Sequence, residues 1–434
     1  MYLQDSQSVV LGLMLVGAAI LVIKYLVRQL SYAGPRKFEI LLFLALFSGP
    51  PRLRARDPMA SLHGEIDWVV LLHLLVWVIG AVWVARELLL YVERHGKRLH
   101  LHWLHLLALG FSGALGLSVF TSSAPLLSAF RAFQLLVMLL FSYLWVRKFG
   151  PDGLLRGLFF NVTVIGLAIV AASLFAPELV YVGTRLRGDL IANAGAIGAI
   201  GLIFSLSYRS VPKSVLTAVL LTALFAYILV ASFTRSGYAA FLAFLVLVVL
   251  RAGPEIKLRI VRYSLIALIP LIWIFSDSIF SWIIRDPDSL RTLSDRTNVW
   301  GYLVGRALEQ SPFLGFGFYA ERTLTLQVNP GIGTAHGAWA AVLGGAGLLG
   351  FSLFAAVWIS AFYLTMKCFL ARRWDNRAFV AASLLAAVSS IGVATEEMVL
   401  PSPTGFIFCS MISLLPIISG GELVLPAHDS SDRA

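Results

Sequence analysis

Apolar runs of about 18–25 residues recur from one end of the chain to the other, each long enough to cross a hydrocarbon core of ~30 Å. No other feature limits the fold so tightly. A bilayer offers no water to peptide groups, so a spanning segment is a helix or a strand of a closed barrel. Barrel strands read as segments of about ten residues with alternating polarity, whereas these runs are apolar throughout. The pattern predicts an all-α, polytopic membrane helix bundle. Composition agrees, because only 13% of the 434 residues are charged, against about 25% in soluble domains.

The expected spans are Val9–Val27, Phe38–Ser48, Trp68–Tyr91, Leu101–Phe120, Ala129–Val146, Leu154–Phe175, Ile191–Tyr208, Val215–Phe233, Tyr238–Leu250, Tyr263–Ile284, His336–Met366, Phe379–Ala394 and Gly405–Ser419. Phe38–Ser48 is short for a crossing and reads as re-entrant or interfacial, which leaves about twelve transmembrane helices. The first run follows Asp5 with no basic segment before it, so it reads as a retained span and not a cleaved signal. Residues 1–434 form a single integral membrane domain on this reading, and only the tail Ala427–Ala434 looks disordered.

Orientation follows from the basic loops. Arg86, Arg94, Lys97 and Arg98 mark one side, as do Arg147, Lys148 and Arg156, then Arg209 and Lys213. Arg251, Lys257, Arg259 and Arg262 continue the pattern, and Lys367, Arg372, Arg373 and Arg377 complete it. Positive loops face the cytoplasm. The segments between them (121–128, 177–190, 234–236, 285–335 and 395–403) face outward. The net charge of +11 is distributed this way, with no basic helix or stacking platform, so a nucleic-acid partner is excluded. The two cysteines, Cys368 and Cys409, give neither a disulfide framework nor a metal spacing.

Segment 285–335 is the only outward piece of soluble size. Within it Val299, Trp300, Leu303, Val304, Ala307 and Leu308 recur at helical spacing, with Ser294 or Asp295 as cap. Such a stripe suits a helix lying in the interface or one packed on the bundle.

Outward charge runs against the positive-inside bias. Arg185, Arg187, Arg235, Arg285, Arg291, Arg296, Arg306 and Arg322 all fall on that side, with no lysine among them. The guanidinium fork suits bidentate phosphate binding, whereas lysine acts as a point charge. Snorkelling to the headgroups is the plainer role for any one of them. Arg235, hemmed between two spans, has the strongest claim to function. His336 is the one outward histidine and opens a span after Gly331, Gly333 and Thr334. His100, His102 and His105 resemble a metal tract, but positions 100 and 102 fall on different helix faces, which favours interfacial packing. Asp286 and Asp288 flank a proline and read as a turn more readily than as a cation site. Glu396 and Glu397 lie in the last outward loop, within reach of a sugar or an arginine.

Taken together, these residues resemble the bacterial O-antigen ligases and their relatives, the O-antigen polymerases and protein O-oligosaccharyltransferases. Arg296 and Trp300 are followed by Pro312-Phe313-Leu314-Gly315-Phe316-Gly317, similar to a family run of Arg-x-x-x-apolar and Pro-Leu-Leu-Gly-x-Gly. His336, Gly347 and Gly350 keep the ligase spacing. Thr234-Arg235-Ser236-Gly237-Tyr238 resembles its short Ser-Arg-Ser-aromatic turn, and Arg185, Gly188 and Asn193 its Arg-x-x-Gly…Asn element. Position 337 is Gly where relatives often carry Asn or Ser. The glycines Gly344, Gly345, Gly347 and Gly350 also suit close helix packing in lipid.

The resemblance covers about residues 180–365. It implies a multi-pass bacterial inner-membrane protein whose active site and 285–335 segment face the periplasm. The implied reaction transfers a glycan from undecaprenyl pyrophosphate to the lipid A–core oligosaccharide, with no metal and no cofactor. Arg185, Arg187, Arg235 and Arg296 would bind pyrophosphate, and His336 would act as base. A polymerase would share every motif but use a second lipid-linked glycan as acceptor. A transporter of lipid-linked glycan should show inverted repeats and broken midplane helices, and none is evident.

Overall fold

In the computed structural model, which describes residues 35–48, 68–95, 101–177, 180–182, 185–186, 192–208, 215–252, 296–328, 335–370, 375–395 and 397–420, the apolar runs are helices. In chain order they are α1 (Lys37–Ser48), α2 (Trp68–His95), α3 (Trp103–Leu117), α4 (Pro125–Phe175), α5 (Ala194–Ser207), α6 (Val215–Ser232), α7 (Arg235–Arg251), α8 (Arg296–Gln310), α9 (Arg322–Val328), α10 (Ala338–Leu370), α11 (Asn376–Ala394) and α12 (Pro403–Ile418). Single 3-10 turns occupy Ser118–Thr121 and Glu397–Val399. The exception to helix is an antiparallel pair of two-residue strands, β1 (Tyr181–Val182) and β2 (Arg185–Leu186). The expected spans Val9–Val27 and Tyr263–Ile284 lie outside the described residues, as do the tail, Ser294 and Asp295.

Among the described residues five helices are long and apolar enough to cross a membrane, with shorter apolar helices at Ala194–Ser207, Leu216–Ser232 and Pro403–Ile418. Exposed side chains on α2 include Leu71, Leu75, Val82 and Leu89. An apolar face of that extent is untenable in water and natural against lipid, so the chain is a membrane protein.

Helix α4 is broken at Gly150, whose φ of 71° and ψ of 174° no helix accepts. Pro151 follows and removes a backbone donor. The Trp145 indole reaches across the break to the Gly153 carbonyl (3.3 Å). The two arms correspond to the two spans expected there. Ion pairs secure this corner: Lys148 Nζ lies 2.7 Å from Glu39 and 2.9 Å from Glu87, tying α1, α2 and α4. Arg377 clasps Asp152 through Nε (2.9 Å) and a second contact from Nη2.

The short helix α1 is buried in the bundle. Phe43 packs edge-on to Trp145 (4.5 Å between centroids) and near Phe406 (5.1 Å), so this run belongs to the core. His102 and His105 form a reciprocal cap at the head of α3: Leu104 N donates to His102 Nδ1 (3.2 Å) and His102 N to His105 Nδ1 (3.1 Å). That arrangement fits the packing role read from the sequence.

Small residues bring α5 against α6 and α7. A Cβ at Gly198 would meet the Leu229 backbone nitrogen at 2.6 Å, and one at Gly237 would meet the Gly195 carbonyl at 2.7 Å. This close approach sets the Thr234–Arg235 turn beside the start of α5.

Helix α10 kinks at Gly347 (φ 62°), and the Pro312–Gly317 loop docks in the kink. Leu348 N donates to the Pro312 carbonyl (2.8 Å) and Phe316 N to the Gly344 carbonyl (2.9 Å), replacing the helix bonds the kink removes. Cβ atoms at Gly315 and Gly347 would press on each other's backbone at 2.6–2.7 Å. Gly344 instead receives the side chain of Leu303 on α8. Val299, Leu303 and Ala307 are buried, so α8 spends its apolar stripe on packing while Leu308 stays exposed.

Candidate active site

His336 is fixed by its neighbours before its own side chain is considered. The Trp300 indole donates to the Ala335 carbonyl at 2.6 Å. Trp300 and Trp339 meet edge-on at 5.0 Å, and Gly337 packs against both rings, where a Cβ would lie 3.3 Å from each. The tryptophan pair therefore fills the space that an asparagine or serine at 337 would need. Between these anchors His336 holds a φ of 49°, an uncommon left-handed conformation for a side-chain-bearing residue. Its ring is half-buried. The other described non-glycine residues with positive φ are Phe233, two residues before Arg235, and Tyr319, three before Arg322. Each of the three lies in a turn outside the helices, and strain of this kind concentrates at functional sites.

Arg235 and Arg296 are brought together. Arg235 is the first residue of α7 and is exposed; Arg296 is the first of α8. The Arg296 Nη1 donates to the carbonyl of Ala394 (2.9 Å), the last residue of α11, whose C-terminal carbonyls lack helical acceptor duty. Burial, and then the neighbouring Arg235 charge, push the Arg296 guanidinium below the ordinary arginine range. A cation on the first turn of a helix is also opposed by the helix dipole. Both arginines sit in that unfavourable place, which an anion would relieve.

A carboxylate completes this side. Glu397 heads the turn between α11 and α12, where Asn193 Nδ2 donates to Oε1 (3.1 Å) and Thr404 Oγ1 to Oε2 (3.3 Å). Asn193 in turn caps α5, accepting from Ala196 N at 3.2 Å. The start of α5, the turn after α11 and the start of α12 are thereby joined.

Arg185 lies on β2, paired with Val182, and β2 packs against α6, the helix that leads into the Arg235 turn. Tyr181 and Tyr227 hydroxyls bond at 3.3 Å across the same contact, and that bond pushes the Tyr181 hydroxyl up to about 12. Arg187, Asp286, Asp288 and Glu396 lie outside the described residues.

Two charged residues in this region escaped the sequence reading. Arg131 lies inside the expected span Ala129–Val146, with its guanidinium 4.3 Å from the Tyr319 ring, and the buried Glu321 follows the Pro312–Gly317 run. Only the basic-in-span anomaly at Arg131 could have flagged either.

These features define a class: a multi-helix membrane protein with arginines and a strained histidine gathered at one end of the bundle. Residues 218–355 match the family model described as O-antigen ligase, which bears out the resemblance over the stretch carrying Arg235, Arg296, Pro312–Gly317, His336 and Gly347. No curated protein matches the chain. The family implies an enzyme concerned with glycosyl transfer.

Proposed function

We propose that the protein transfers O-antigen glycan from undecaprenyl pyrophosphate to the lipid A–core oligosaccharide, on the periplasmic side of the bacterial inner membrane. On this reading the apolar runs of the sequence cross the membrane about twelve times, which the five long apolar helices among the described residues support in part. On this topology 285–335 is periplasmic, with Arg235, Arg296 and His336 at the outer surface.

The observation that carries the reading is the approach of Arg296 to Arg235 at two helix N-termini. Pyrophosphate leaves readily when its charge is neutralised, and fixed guanidiniums supply that neutralisation without a metal. Arg185 and Arg187 extend the clamp from the 177–190 loop. His336 accepts the proton of the acceptor hydroxyl as attack on the anomeric carbon begins. Glu397, held by Asn193 and Thr404, positions the frame around the arginines.

A polymerase would use the same chemistry with a second lipid-linked glycan as acceptor. Deletion of the gene, followed by analysis of lipopolysaccharide, separates the two. The ligase reading predicts loss of capped chains with lipid-linked polymer retained. Single-repeat caps with no polymer would assign the polymerase instead.

A further inference from the structure

We propose that Trp300 and Trp339 form an aromatic platform beside His336 that holds a sugar ring of the acceptor, with the Trp339 indole N–H donating to a hydroxyl of that sugar. The assignment of the sugar to an acceptor rests on the transferase reading above; the platform itself rests on geometry.

The two rings come from different helices. Trp300 is the fifth residue of α8 and Trp339 the second of α10, and these helices pack on each other. Beneath the rings lies a small apolar cluster of Leu303, Ala335, Ala340 and Ala341, separate from the main core. All four are buried, whereas both tryptophans are half-exposed. Each indole therefore rests on the cluster with one part of its surface and keeps another part open.

Tryptophan also serves as an anchor at the bilayer interface. An anchor turns its ring to the lipid. Here the rings are turned on each other, 66° apart and edge-on, and the Trp300 N–H is engaged by the Ala335 carbonyl at 2.6 Å. In an edge-on pair one ring covers at most one face of the other, so ring faces remain for a ligand.

The two N–H groups have different tasks. That of Trp300 fixes the backbone just before His336. That of Trp339 has no acceptor among the described residues and is not sealed from solvent. Gly337 sets no side chain against it, although a Cβ there would lie 3.3 Å away. A sugar fits a ring face with an open donor at its edge. Its C–H groups, slightly positive, lie on the negative face, while its hydroxyls point outward to accept from the N–H.

The position favours the acceptor. Trp300 lies one turn after Arg296 on the same side of α8, and Trp339 lies three residues after His336. The platform thus joins the elements that carry the arginine and the histidine. A pyrophosphate needs charge, which indoles lack. The hydroxyl that gives up its proton must be held within about 3 Å of the base, and the sugar bearing it gains a neutral surface beside His336.

The test uses the purified full-length protein in nanodiscs, with undecaprenyl-pyrophosphate glycan as donor. Lipid A–core and the lipid-free core oligosaccharide serve in turn as acceptor. W339L should raise the KM for both acceptors about tenfold and leave the donor KM within about twofold. W339F, which keeps a ring face and loses the N–H, should raise the acceptor KM about threefold; it carries the test if W339L fails to fold. A shift in donor KM instead would give the platform to the donor, and unchanged acceptor KM values would leave the pair a brace for His336. An effect confined to the lipid-bearing acceptor would make the tryptophans a membrane anchor. Each of those results overturns the proposal. Should the wild type transfer nothing, the transferase reading falls, and calorimetric titration with the core oligosaccharide decides the platform. Binding weakened in W339L but kept in R296Q supports it; no binding, or binding indifferent to W339L, removes it.

Discussion

His336 combines a side chain suited to proton transfer with a backbone that few residues tolerate. If it is the base, His336→Ala should lower kcat by about 10²–10⁴ while the protein remains folded, and wild-type activity should fall toward acid pH as the imidazole takes up a proton. Retention of most turnover by His336→Gln, with an unchanged pH profile, would reduce the residue to a hydrogen-bonding guide. Arg235 and Arg296 make a separate prediction. Lysine keeps the charge but loses the planar fork, so R235K and R296K should lose at least about tenfold in kcat/KM. Full activity in both would leave the arginines to headgroup contact. At this scale the sequence was informative where a residue broke a local rule, as an arginine does between two spans. It named Glu397 as a loop carboxylate but not its partner Asn193, distant in the chain, because no local pattern encodes a contact made by folding.

The elements show how a motif can be structural and still serve the site. Pro312–Gly317 supplies hydrogen bonds to the α10 kink, and the kink makes room for the loop, so neither forms well alone. Gly347→Ala would force a Cβ into the left-handed region and to 2.5 Å from the Phe313 carbonyl. The cost should be at least about 2 kcal/mol, visible as lower thermal stability in detergent. An unshifted melting transition would mean that the loop does not depend on the kink. The glycine spacing was legible before the structure, but its reason was not. Gly344 receives a neighbouring helix, whereas Gly347 turns the chain, and both roles call for the same residue. The stripe on α8 was equally readable, yet choosing between membrane interface and bundle required its partner, Leu303 against Gly344. Likewise an eleven-residue run such as Phe38–Ser48 has the length of a re-entrant segment or a core helix. The Phe43 contacts decide for the core.

At the scale of the whole molecule, span length and loop charge made the membrane bundle legible, because both follow from the bilayer and not from detailed packing. Orientation has its own check. An alkaline phosphatase fusion at position 320 should be active and one at 434 silent, and the reverse pattern would put the histidine and arginines on the wrong side for this reaction. The central claim is that these arginines and His336 move a glycan from a lipid pyrophosphate without a metal. Purified protein given undecaprenyl-pyrophosphate glycan, lipid A–core acceptor and excess chelator tests it most directly. The account predicts glycosylated acceptor and released undecaprenyl pyrophosphate at an undiminished rate, with product lost in His336→Ala; transfer that stops in chelator and returns with magnesium or manganese, or that proceeds equally in His336→Ala, would contradict it.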